Sequence, residues 1–142
     1  MDELSISYDE SLDKIEAMME EIGTIEFETS GFFCGGMYVK SIVIPAGSYL
    51  TSLVHKKEHP FILSQGNMII YTQDGEVEIQ APYIDITKEG TRRFAKAITD
   101  CLWTCIHRTD ATTDEEVEME VVEPRKNKLL INKEEVKCHL QQ

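Results

Sequence analysis

His55-Lys-Lys-Glu-His59-Pro-Phe-Ile-Leu-Ser-Gln65-Gly66 is the stretch on which the fold turns. Two histidines four residues apart lead into an apolar run that stops at Gln-Gly. On the C-terminal side, Met68-Ile69-Ile70-Tyr71 and Val77-Glu-Ile79 flank Asp74-Gly75, a hairpin signal because glycine accepts positive φ at little steric cost. Tyr83 to Ile86 follows Ala81-Pro82, and a turn at Lys88-Glu89-Gly90-Thr91 precedes strands over 93–97 and 101–107. On the N-terminal side, the β-branched run Met37 to Ile44 ends at Pro45-Ala-Gly47, and Tyr49 to Val54 reads as the next strand. About eight short strands punctuated by turns, with no helix between them, predict an antiparallel sandwich or barrel.

The flanks read differently. Ser7 and Glu10 have capping-box spacing, and Leu12, Ile15, Met19 and Ile22 recur at helical period up to Gly23, which predicts an amphipathic helix over 9–22. Its narrow apolar stripe fits either the barrel or a second subunit. Residues 24–36 read as a Gly-rich, aromatic connection with a turn at Gly35-Gly36. Beyond Arg108, Thr113 and Glu116 mark a helix over 113–121, Lys128 to Ile131 a docking strand, and Asn132 to Leu140 a second helix. The expected organisation is therefore an N-terminal helix and connection (1–36), a barrel (37–110) and a C-terminal extension (111–142).

With 142 residues, 42% of them hydrophobic and 28% charged, the chain is large enough to bury one core without disulfides. No apolar run approaches a bilayer span and the first residues lack a signal-peptide pattern, so the expected location is a cytoplasm. Cys34, Cys101, Cys105 and Cys138 form no CxxC pair, and Cys101 and Cys105 would share one strand face as buried thiols. The net charge of -12 sits on the flanks: ten acidic residues against Lys14 in 1–30, six against none in 114–123, and eight of each sign in 31–110. A chain with no basic face is a poor partner for nucleic acid, and none is expected.

The succession Pro45-Ala-Gly47, His55-x-x-x-His59-Pro-Phe, Gln65-Gly66, Asp74-Gly75, Ala81-Pro82-Tyr83, Gly90-Thr-Arg-Arg93 and Trp103-Thr-x-x-His107 resembles the RmlC-like cupin superfamily. In particular it is similar to the small cupin-like proteins of tailed bacteriophages. The resemblance implies an all-β antiparallel double-stranded β-helix over 37–110, a cytoplasm of an infected bacterial host or a virion as location, and a homo-oligomer. In the family's metal motif Gly66 fits the glycine, His59 falls on the glutamate, His55 on the second histidine and Leu53 on the first. In the second motif Gly90 fits, Lys88 replaces proline and Arg93 takes the histidine position. A guanidinium beside a divalent cation is electrostatically adverse, so no metal and no cofactor are expected in this pocket.

Arg93 with His55, His59 and Arg92 would instead form an electropositive spot able to pair with a carboxylate or phosphate, with Tyr71 and Trp103 lining the pocket. Each has a plainer reading. Arg93 could bridge to Glu58, Asp85 or Glu89, Arg92 could face outward, His55 could cap a strand end, and Tyr71 and Trp103 could be core. His107 reads as a structural histidine. No nucleophile triad or phosphate-cradling loop appears. Three function classes follow: a non-catalytic binder of a small anionic, possibly nucleotide-like signalling ligand, a virion or assembly component contacting other phage structural proteins, and a small cupin enzyme, an oxygenase or an isomerase or epimerase.

Overall fold

A computed structural model describes residues 3–24, 26, 28–52, 54–72, 74–122 and 129–131, with the side chains of 3–7 and 129–131 excepted. The order of elements is α1 (Glu3–Ile22), β1 (Glu28–Cys34), β2 (Met37–Ile44), β3 (Tyr49–Thr51), β4 (His59–Gln65), β5 (Asn67–Thr72), β6 (Gly75–Gln80), β7 (Tyr83–Thr87), β8 (Phe94–Ala97), β9 (Cys101–Arg108), α2 (Asp114–Val121) and β10 (Leu129–Ile131). They form two five-stranded sheets, β1-β2-β9-β4-β7 and β10-β3-β8-β5-β6, with every pairing antiparallel. Consecutive strands from β2 to β9 mostly cross between the sheets, which is jelly-roll topology. The expected all-β double-stranded β-helix is present.

The inner faces meet in a core of Ile44, Leu50, Phe61, Leu63, Met68, Ile79, Ala95, Ala97, Cys101 and Trp103. Period-2 alternation places them there. In β4, Phe61 and Leu63 are buried on one face, and in β9, Cys101, Trp103 and His107 are buried with Cys105 half-buried on the same face. At the β4–β5 corner Gly66 takes φ +88°, and a Cβ there would run into the Asp100 carbonyl. Glycine is the residue that tolerates both constraints.

Three boundaries differ from the sequence reading. The first helix begins at Glu3 rather than near Asp9, and Tyr8 is inside it: its hydroxyl donates to the carbonyls of Tyr71 in β5 (3.1 Å) and of Arg92 just before β8 (3.2 Å). The stretch expected to be a connection contains strand β1, paired with Met37 to Val43 of β2 through the Gly35-Gly36 turn, whose φ values of 56° and 78° suit a tight hairpin. All seven β1 residues are exposed, so the strand has no buried face and its sequence carries no alternation. The strand expected over 49–54 stops at Thr51.

The helix α1 lies on its own chain's second sheet. Met19 is fully buried against Tyr49 and Phe94, with Ile15 and Ile22 beside it. Burial of a side chain of that size contributes about 1.5–3 kcal/mol. The expected strand near Lys128 is β10, paired with β3. The helix proposed for 132–140 lies outside the described residues.

Candidate functional site

The site is the barrel interior beneath α2. Thr113 caps this helix, its Oγ1 accepting from the Glu116 amide (3.3 Å) and donating to the Glu116 carboxylate (3.1 Å). Its apolar side, Val117 and Val121, buries against Tyr38. The chain after it is tied to the loop before β4: the Lys56 amide donates to the Val121 carbonyl (2.7 Å), and His55 bridges Val122. The helix therefore covers a cavity of about 110 Å³. The walls are apolar residues of both sheets, among them Ile42, Leu50, Met68, Ile70 and Trp103, and the cationic groups on them are Lys40 and Arg93.

Arg93 immediately precedes β8 and turns inward. Its guanidinium lies over the Phe61 ring at 5.0 Å and the Trp103 ring at 5.4 Å, and those two rings stack at 4.2 Å with an interplanar angle of 7°. It also borders a more open recess of about 280 Å³ lined by Tyr8, Tyr71, Tyr83 and Asp85. Burial lowers its pKa from the ordinary value, and nearby Cys105, Tyr8, Asp85 and Tyr83 act in the opposite direction. A guanidinium nevertheless stays charged. Among the described residues no carboxylate forms an ion pair with it; Glu58, Asp85 and Glu89 all lie outside pairing range.

Arg92 has a different occupation from the ligand contact expected of it. It projects under α1, where it meets Asp13 at 2.8 Å, Glu16 at 3.1 Å, and both the carbonyl (3.1 Å) and carboxylate (3.6 Å) of Asp9. Burial alone would lower its pKa, but Glu16 and Asp13 outweigh that and hold it above the ordinary value. The Arg92 side chain is buried under α1, whereas Arg93 lies between the inner cavity and the more open recess.

Three histidines cluster beside the cavity: His55 and His107 line it, and the His59 ring contacts both. The rings of His55 and His59 are 4.8 Å apart, and those of His59 and His107 are 4.2 Å apart. His55 lines the cavity from the loop before β4, with Nδ1 3.3 Å from the Thr91 carbonyl. His59 is buried and its Nδ1 is 3.1 Å from the Lys57 carbonyl. Burial, the first cause, lowers the His59 pKa, the Lys57 bond opposes this, and the Arg93 charge lowers it further. His107 is pushed down to about 3, first by burial and then by His59, His55 and Lys40, against an opposing Glu120.

Of the remaining expected site residues, Trp103 lines the cavity and its Nε1 donates to Cys105 Sγ at 3.2 Å. Tyr71 faces the recess and stacks on Phe94 at 5.1 Å. Cys105 and His107 are cavity residues that the sequence reading assigned to structure. The signal was available: residues 103, 105 and 107 alternate on one strand, so a Trp103 that lines the cavity brings both with it. Cys101 behaves as the buried thiol expected, with burial raising its pKa to about 11 and its Sγ donating to the Asn67 and Thr99 carbonyls. Cys138 lies outside the described residues.

No family model and no curated protein matches this sequence. Among solved structures, the chain is similar to ectoine synthase from P. lautus, at 14% identity and a TM-score of 0.57 over 80% of this chain and 86% of that one. It is also similar to a protein with a double-stranded β-helix domain from Klebsiella pneumoniae (16%, TM-score 0.50, 66% and 84% covered). A cupin superfamily protein from Desulfitobacterium hafniense is a third (9%, TM-score 0.50, 61% and 81% covered). At these identities the likeness is one of fold and carries no activity with it. The two sheets, their order and these neighbours together establish that the chain has the cupin fold, an antiparallel double-stranded β-helix.

Proposed function

We propose that the protein is a non-catalytic cupin that binds a small molecule through a carboxylate or phosphate on Arg93 and an apolar body against Ile42, Leu50, Met68 and Trp103. The observation that carries this reading is a charged guanidinium inside an apolar barrel with no carboxylate paired to it among the described residues. A planar donor fork beside two rings can engage two oxygens of a carboxylate or phosphate at once, which a spherical anion does not offer. His55 reaches the same cavity and supplies a further donor.

The phage setting is part of the proposal and rests on the sequence elements quoted above. So is a homo-oligomer, which the exposed apolar residues Phe32, Ile84 and Ile86 on the outer strands of the first sheet support. Thermal stabilisation by a panel of aliphatic and aryl carboxylates and phosphates, including nucleotides, tests the binding reading. Ligands that stabilise the protein and lose that effect in Arg93→Met sustain it. Equal stabilisation of the variant overturns the pocket assignment. A protein stabilised by no member of the panel, and bare in a native mass spectrum, overturns binding in favour of an assembly role. Turnover of any panel member would favour the enzyme reading.

A further inference from the structure

We infer that His59, Cys105 and His107 form a site for a soft divalent cation of the zinc class beside the cavity. One ring nitrogen from each histidine and the Cys105 Sγ all lie within 4.8 Å of one another. Tetrahedral zinc bonds of about 2.0–2.1 Å to nitrogen and 2.3 Å to sulfur separate ligand atoms by roughly 3.3–3.7 Å. Closing the widest pair therefore takes a shift of about 1 Å, within the reach of side-chain torsions.

The carrying observation is His59 itself. Its Nδ1 faces the Lys57 carbonyl, which can only accept, so in the neutral ring Nδ1 bears the hydrogen and Nε2 the lone pair. That Nε2 is buried and has no hydrogen-bond partner among the described residues. A buried acceptor left unsatisfied is costly. A ring held through one nitrogen by a backbone carbonyl, with the other left as a buried lone pair in a cluster of two further ligand groups, is the arrangement by which proteins orient metal-binding histidines.

Cys105 has a comparable outer partner, because the Trp103 indole N–H points at its sulfur. On binding, the cation replaces the thiol proton, which leaves to solvent, and the resulting thiolate partly neutralises the cation and stabilises the nearby Arg93 guanidinium. That answers the electrostatic objection to a metal near Arg93. The site is also distinct from the set that the family motif would use, which falls on positions 53, 55, 59 and 93; two of its three ligands come from β9. Cys105 and His107 both line the cavity, leaving a fourth position for an exchangeable ligand. The inference stands independently of anion binding at Arg93.

Cobalt(II) titration of the full chain, stripped with chelator and kept reduced, provides the test. The expected result is one equivalent of Co(II) bound, a thiolate-to-cobalt charge-transfer band and intense tetrahedral d–d absorption. Cys105→Ser should abolish the charge-transfer band. His59→Gln and His107→Gln should each weaken binding at least about 100-fold, more than the roughly 10–100-fold contributed by the outer partners of metal ligands. Cys34→Ser, at an exposed thiol on β1, should leave both the band and the affinity unchanged. Absence of the band in the wild-type protein, its persistence in Cys105→Ser, or its loss in Cys34→Ser would each overturn the assignment.

Discussion

Arg92 and Arg93 are neighbours in sequence and opposites in structure. Both lie in the segment that leads into β8, and their side chains go to opposite sides of it. Arg92 goes out to a ready-made acidic face of α1, where Asp9, Asp13 and Glu16 surround it. Arg93 goes in, to aromatic faces and an apolar cavity. The outer arginine has its counter-charges supplied by the fold; the inner one has an aromatic cradle in their place. A satisfied buried cation fastens two elements together, whereas the one without a paired carboxylate among the described residues is the group to which we assign ligand binding.

Substitution at each position separates the two roles. Arg93→Met should weaken binding of an anionic ligand by about 2–5 kcal/mol, the typical cost of truncating a buried charge partner. It should leave stability unchanged or slightly raised, because it removes a desolvated charge and leaves no carboxylate stranded. Isothermal titration with a ligand from the panel and a denaturant melt would measure the two effects. A large loss of stability would show that Arg93 is structural like its neighbour.

Acid titration probes the inner environment again. The His107 pKa is about 3 in the fold against about 6.5 in an unfolded chain, so below 6.5 the unfolded state takes up a proton that the native state refuses. Stability is therefore fully present above pH 6.5 and falls as the pH drops towards 3. Between pH 7 and pH 5 the loss should be about 2 kcal/mol from His107 alone. His59, also lowered, adds to it with the same sign. Chelator-treated wild type and His107→Gln, melted in urea at both pH values, should differ in slope by that amount. Parallel slopes would mean that the interior admits a charged imidazole.

On the outer side, Arg92→Met should cost about 1–3 kcal/mol of stability, a range below that for fully buried pairs because Asp9 and Asp13 are half exposed. Anion binding should be unaffected, and a shift in ligand affinity would bring Arg92 back into the site. The smallest effect belongs to Asp13→Ala, about 0.5–1 kcal/mol, since Glu16 and Asp9 remain beside the guanidinium. A double-mutant cycle between positions 13 and 92 should recover most of that value as coupling. A cycle with no coupling would show that burial of α1, through Met19 and its neighbours, holds the helix without the ion pairs.

The barrel was legible because its strands are half-buried: alternation in β4 and β9, Gly66 at a corner that excludes a Cβ, and the Asp74-Gly75 turn are local consequences of one core. β1 was illegible because it has no buried face, and the early start of α1 because Tyr8 is held by carbonyls more than sixty residues away. The site divides along the same line. The family resemblance put Arg93 at the position of a pocket histidine, strand alternation gave Arg92 an outward alternative, and Trp103 stayed open between pocket wall and core. Whether α1 packs on its own barrel or on a second subunit could not be read from an apolar stripe that fits both. That His59, Cys105 and His107 converge was equally hidden, since β4 and β9 become neighbours only when the sheet closes. Short-range chemistry writes periods and turns into a sequence; contacts between distant strands depend on how the whole chain shares one core.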